Sequence, residues 1–131
     1  MERRILCNFV GVSMDYKKIP IFIISFNRLT ILKKLILRLE NDGYRNLHIV
    51  DNCSDNKTLI RYLHELPYHV YWMKKIGHMV VWKSGVFDEI INTQYYVVTD
   101  PDIIPICESP NNYVEHFYKV LQNYQNYDMD L

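Results

Sequence analysis

Glycine is scarce in this chain, four in 131 residues, and the scarcity removes whole classes of nucleotide site. A dinucleotide-binding turn needs Gly-x-Gly-x-x-Gly after its first strand and a kinase-like NTPase needs a Walker loop; neither pattern occurs. Cysteine is sparse too. Cys7, Cys53 and Cys107 lie far apart, odd in number and without a Cys-x-x-Cys pair, so neither a disulfide framework nor a zinc knuckle is supported. A reducing, cytoplasmic setting is the expected home. Charge of one sign is also missing, since 15 basic residues cancel 15 acidic ones, which argues against a nucleic-acid or acidic-membrane binder. No apolar run approaches the roughly 20 residues of a membrane span, so no transmembrane segment is expected. The start, Met1-Glu2-Arg3-Arg4 followed by Ile5 to Met14, imitates a signal peptide only loosely, because Asn8 interrupts it and no small-residue cleavage site follows.

What is present is enough apolar material for one core, 49% of the chain, arranged as one domain over residues 19–131 behind an N-terminal extension, residues 1–18. Ile19 to Phe26 is a continuous β-branched and aromatic run, the pattern of a strand covered on both faces. Leu29, Leu32, Leu35, Ile36 and Leu39 then recur at helical spacing, and Asn41-Asp42-Gly43 stops the helix. Asn46 to Val50 reads as a second strand, and Ser54 or Asp55 is expected to cap a helix carrying Leu59, Leu63 and Leu66 up to Pro67. His69 to Trp72 is a third strand, Met79 to Ile91 a helix with Gly85 inside it, and Tyr95 to Thr99 a fourth strand. A last helix, opened by Ser109-Pro110 or Asn111-Asn112, sets Val114, Phe117, Tyr118, Leu121 and Tyr124 on one face, with a frayed tail from Asn126. This alternation predicts a three-layer α/β/α domain on a mostly parallel sheet.

The acidic pair in Thr99-Asp100-Pro101-Asp102 then stands where a buried strand meets a loop. In open parallel sheets ligands gather beyond the carboxyl ends of the strands, and paired carboxylates there suit a hard divalent cation holding phosphate oxygens. Pro101 fixes its own φ and biases Asp100 toward an extended geometry, restricting how the two acids are presented.

Four pieces in order, Ile23-Ile24-Ser25-Phe26-Asn27-Arg28, Val50-Asp51-Asn52-Cys53-Ser54-Asp55, Gly77-His78 and Thr99-Asp100-Pro101-Asp102, resemble the nucleotide-sugar-binding half of the family 2-like GT-A glycosyltransferases. That resemblance implies a Rossmann-like GT-A fold with strand order 3-2-1-4, and transfer of a sugar from a UDP- or GDP-sugar to a hydroxyl of a glycan or other acceptor. It further implies that the Ser25-Phe26-Asn27 segment, with Ser25 and Asn27 as its polar contacts, lines the base and ribose pocket and that Asp51 bonds the base or ribose. Lys74, Lys75, Gly77 and His78 would lie near the diphosphate, Asp100 at the ribose or the metal's water shell, and Asp102 on Mn²⁺ or Mg²⁺. Inverting members take the acceptor's proton with a carboxylate well downstream. Only Glu108, Glu115, Asp128 and Asp130 follow Asp102 here, which leaves three alternatives: an excised or naturally truncated donor-binding half, a partner chain or second copy that completes the site, or lost catalysis. The alternative is a binding or assembly module that keeps the donor pocket alone.

Plainer accounts stand beside these. Asp100 and Asp102 also fit a solvated turn, Asp51 a turn cap, Lys74, Lys75 and His78 an exposed loop, and Trp72 and Trp82 core or helix packing. Cys53 has no histidine placed as its base in the sequence and is not expected to be a nucleophile. A phosphoacceptor receiver or haloacid-type phosphatase would carry its acids after the first strand, where this chain has Ser25-Phe26-Asn27.

Overall fold

Nothing polar interrupts the first strand before Ser25, and the tertiary structure buries it on both faces. The computed structural model describes residues 15–74, 77, 79–103, 105 and 110–129, with residues 124–129 by backbone alone. Strand β1 (Ile21–Ser25) pairs in parallel with β2 (Leu47–Asp51) on one side and with β4 (Val97–Thr99) on the other, while β3 (His69–Trp72) joins β2. The result is an open, all-parallel sheet in the order β3-β2-β1-β4, as expected from the sequence and compatible with a Rossmann-like fold.

Alternation along β1 builds two cores. Ile21 and Ile23 join Leu32, Leu35, Ile36 and Leu39 of α1 (Leu29–Asn41) and Leu59 and Leu63 of α2 (Lys57–Glu65), with Val114 of α5 (Tyr113–Met129). Phe22 and Ile24 face the other way, packing with Val50 and with Val80, Val81 and Phe87 from around α3 (Val80–Lys83) and α4 (Asp88–Thr93). Helices therefore cover both faces, the condition under which an all-parallel sheet is stable.

Helix α1 ends as its sequence requires. Gly43 takes φ +92°, its N–H donates to Glu40 O at 3.0 Å and the Tyr44 N–H reaches back to Leu39 O at 2.9 Å, a Schellman cap whose apolar contact is Leu39 with Tyr44. Beside it, Asp42 accepts from Arg38 Nε at 2.6 Å and from Tyr113 Oη at 2.8 Å. Burial pushes the Asp42 carboxyl up, but those bonds and the charges of Arg38 and Lys17 outweigh it and hold it below the usual carboxylate range. Burial and the same bond to Asp42 push the Tyr113 phenol well up. Residues 16–18 form a 3-10 turn tied into this corner, with Lys17 Nζ donating to Asp42 O at 2.7 Å and Asn111 O at 2.9 Å.

Several local expectations are corrected. The helix read across Met79 to Ile91 is two short ones, because Gly85 sits at φ +78°, outside helical geometry, and turns the chain between α3 and α4. The cap of α2 is Asn56, whose Oδ1 accepts from Leu59 N at 3.0 Å, because Ser54 and Asp55 are engaged by other partners. Helix α5 continues to Met129, past the expected fraying point. Trp72 is 48% exposed and Trp82 38%, so of the core or helix packing expected for them the core half fails: Trp72 ends an edge strand against His64 of α2, and Trp82 donates from Nε1 to Tyr96 Oη at 3.0 Å. Among the described residues no helix is long and apolar enough to cross a membrane.

Candidate functional site

The carboxyl edge of the sheet is organised by two loops that lock together. Asn27, at φ +51°, follows β1, and its N–H donates to Ser54 Oγ at 3.0 Å. Its side chain works in both directions: Nδ2 donates to Asp55 Oδ1 at 2.9 Å, and Oδ1 accepts from Asp55 N at 2.9 Å and Asn56 N at 3.0 Å. Asp51, 1% exposed, ends β2 and accepts from Ser54 twice, from the backbone N at 2.9 Å and from Oγ at 2.7 Å. The loop it holds passes through Cys53, an exposed free thiol at φ +67°. Ser25 is 1% exposed, and its Oγ has no hydrogen-bond partner among the described residues.

Strand alternation decides which residues of the first loop face a ligand. Ser25 follows Ile21 and Ile23 toward the α1 and α2 layer, and Asn27 is turned into the loop clamp. Ile24, Phe26 and Arg28 instead line a cleft of about 320 Å³ together with Asn52, Gly77, Asp100, Pro101 and Asp102. This cleft lies between the ends of β1 and β4. There the strand order reverses, because β1 is followed on one side by β2 and on the other by β4, and open α/β sheets take their ligands in that crevice.

Asp100 and Asp102 are thus placed together at the cleft, both exposed, with Pro101 buried between them. A turn fixes them: the Asp100 carbonyl accepts from Ile103 N at 3.3 Å and from Thr99 Oγ1 at 3.0 Å. Asp102 Oδ2 lies 3.9 Å from Arg28 Nη1. Gly77, at φ +95°, also lines the cleft, and a Cβ there would meet open space. Lys75 and His78, expected near the diphosphate, lie outside the described residues.

Asp51 borders a second hollow, of about 480 Å³, walled by Cys53, Ser54, Ile60, His64, Trp72, Met73 and Lys74. His64 lies against Trp72 with centroids 4.9 Å apart, so the exposed indole is braced on one face. The structure therefore separates the expected site residues. Gly77, Asp100 and Asp102 line one cleft and Asp51 and Lys74 the second hollow, while Asn27 ties the loops after β1 and β2 together and Ser25 is buried, its carbonyl accepting from Asn52 N at 2.8 Å.

Phe26 lines the cleft as a member of the segment expected at the base and ribose, whereas Arg28 and Asn52 are cleft residues to which no role was given from the sequence. The period of two running out of β1 was the signal for the first two, since Ile24, Phe26 and Arg28 continue one face. Among the described residues no group of three or more His, Cys, Asp or Glu side chains is gathered to hold a metal ion. Compared with protein-family models, curated proteins and solved structures, the chain matches none.

Proposed function

We propose that this domain binds a nucleotide diphosphate sugar, UDP- or GDP-linked, in the β1/β4 cleft with Mn²⁺ or Mg²⁺, as the donor side of a metal-dependent GT-A-like glycosyltransferase. The observation that carries the reading is the placement of Asp100 and Asp102, as neighbouring exposed carboxylates, at the point where the strand order reverses.

The donor set fits such an ion in one particular way. A hard cation wants roughly six oxygens, and two carboxylates supply too few to hold it permanently, whereas phosphate oxygens and water complete the shell when the ion arrives with a diphosphate. Bound there, the ion would neutralise charge on the departing nucleoside diphosphate. The chain's own residues do the rest of the binding. Phe26 offers a partly exposed ring, Asn52 an amide, and Gly77 a wall free of side chain beside the phosphates.

Transfer also needs a base for the acceptor hydroxyl, and the two acids that line the cleft among the described residues are assigned to the cation. The base for the acceptor, a glycan or another hydroxyl compound, would then come from elsewhere in the protein, from a partner chain or from a second copy. This same observation favours a second reading, a nucleotide-sugar-binding or assembly module without transfer of its own. The exposed free thiol of Cys53 supports a reducing, cytoplasmic setting.

Titration of the purified chain with UDP and with GDP, each with and without Mn²⁺, tests the cleft. Binding is expected to require the metal and to be lost in Asp102→Ala. Binding that is indifferent to both would remove the reading. Release of free sugar from the bound donor separates the enzyme from the module.

A further inference from the structure

Asp102 already has a cationic neighbour. Arg28 follows the β1 turn and brings Nη1 to 3.9 Å from Asp102 Oδ2, both side chains being more than half exposed. A pair that open contributes little to holding the fold, because water and salt screen it. Arg28 occupies the N-cap position of α1, yet its side chain makes no capping bond. Its backbone carbonyl does the structural work there, accepting from Leu32 N at 3.2 Å. The guanidinium is thus held at the cleft without being needed by the helix.

We propose that Arg28 is the anion-recognising residue of the cleft and competes with the divalent cation for Asp102, so that a bare cation binds poorly and a cation accompanied by a nucleoside diphosphate binds well. The inference rests on the reading of the cleft given above. A cation taken by Asp102 alone would displace the guanidinium and leave two positive groups facing each other. A diphosphate reverses that sign. Its oxygens accept the planar fork of arginine, whose paired donors match phosphate better than the single ammonium of lysine. Cation and anion then bind as a coupled pair, and thermodynamic linkage requires each to raise the affinity of the other by the same factor.

The test titrates MnCl₂ alone, and then UDP and GDP at saturating Mn²⁺, into the wild type, Arg28→Gln and Arg28→Lys, with circular dichroism to confirm that each variant is folded. Arg28→Gln is expected to tighten bare Mn²⁺ binding about five-fold and to weaken metal-dependent nucleotide binding about ten-fold, within the usual range of coupling between sites. Arg28→Lys should keep the weak bare-metal binding and recover only part of the nucleotide affinity. If Arg28→Gln leaves both affinities unchanged, or moves both in the same direction, while the wild type binds metal and nucleotide together, the role of Arg28 is overturned and the cleft reading stands. A wild type that takes up no nucleotide with Mn²⁺ overturns both.

Discussion

Ser54 links three structural jobs through one hydroxyl and one amide. Its Oγ accepts from the Asn27 backbone and donates to Asp51, and its N–H donates to the other Asp51 oxygen. Asp51 is therefore satisfied inside the protein, which explains how a carboxylate tolerates burial at the end of β2. His48 is constrained in a comparable way. Asn46 turns its amide nitrogen to Lys18 O at 2.7 Å, so its Oδ1 accepts from His48 Nε2 at 2.9 Å, and His48 Nδ1 accepts from Tyr71 Oη at 3.0 Å. Burial first, and the neighbouring His69 second, push His48 below its ordinary pKa of 6.5. The unfolded chain then binds the proton more readily, so stability is fully present above about pH 6.5 and falls as the pH drops toward the folded value. Urea midpoints measured between pH 7.5 and 5 should decline over this window, and His48→Gln should flatten the decline. A profile unchanged by that substitution would show that His48 is not the group responsible. Asp42 acts lower, its contribution disappearing only as the pH falls through its depressed value.

At the scale of the element, one helix end was legible and another was not. The Asn41-Asp42-Gly43 stop was readable because few residues other than glycine accept φ +92°. Gly43→Ala is expected to cost about 1–2 kcal/mol through that φ, and urea denaturation would read it as a lower midpoint at unchanged slope. An unchanged midpoint would mean that the Schellman turn can be rebuilt without glycine. Asn56 was not readable as the cap, since Ser54, Asp55 and Asn56 are all good caps by type. One local contact and one distant one decide among them: Asp51, three residues back, takes Ser54, and Asn27, on the loop after β1, takes Asp55, leaving Asn56 to meet Leu59 N. Gly85 was visible as an irregularity, but only its φ of +78° in the folded chain shows that it separates two helices.

For the whole molecule the central strand matters most, because both cores are built on its alternating residues. Phe22 is fully buried and meets Phe87 edge-on at 4.9 Å, and Phe87 meets Tyr71 at 4.7 Å, so one ring anchors α4 and the β3 edge to β1. Phe22→Ala should destabilise by about 3–5 kcal/mol, the usual cost of an aromatic cavity, and lower the urea midpoint accordingly. A loss below about 1 kcal/mol would mean that this second face collapses to fill the gap. The strand order also places the cleft. With β4 on the far side of β1 from β2, the acids of one loop and the arginine of another are brought together across 74 residues of sequence, from Arg28 to Asp102.

The sequence by itself determined the α/β class, the buried first strand, the parallel alternation and the strand-end position of Asp100 and Asp102. These depend on local periodicity, on turn residues and on proline, all of which act over a few neighbours. Only the tertiary structure decided that Asn27 is tied to Asp55 in the loop after β2, that β1 and β4 enclose the cleft Phe26 and Arg28 line, and that Arg28 meets Asp102. The physical reason is that facing and pairing are set by partners distant along the chain, which become neighbours only when the sheet has formed.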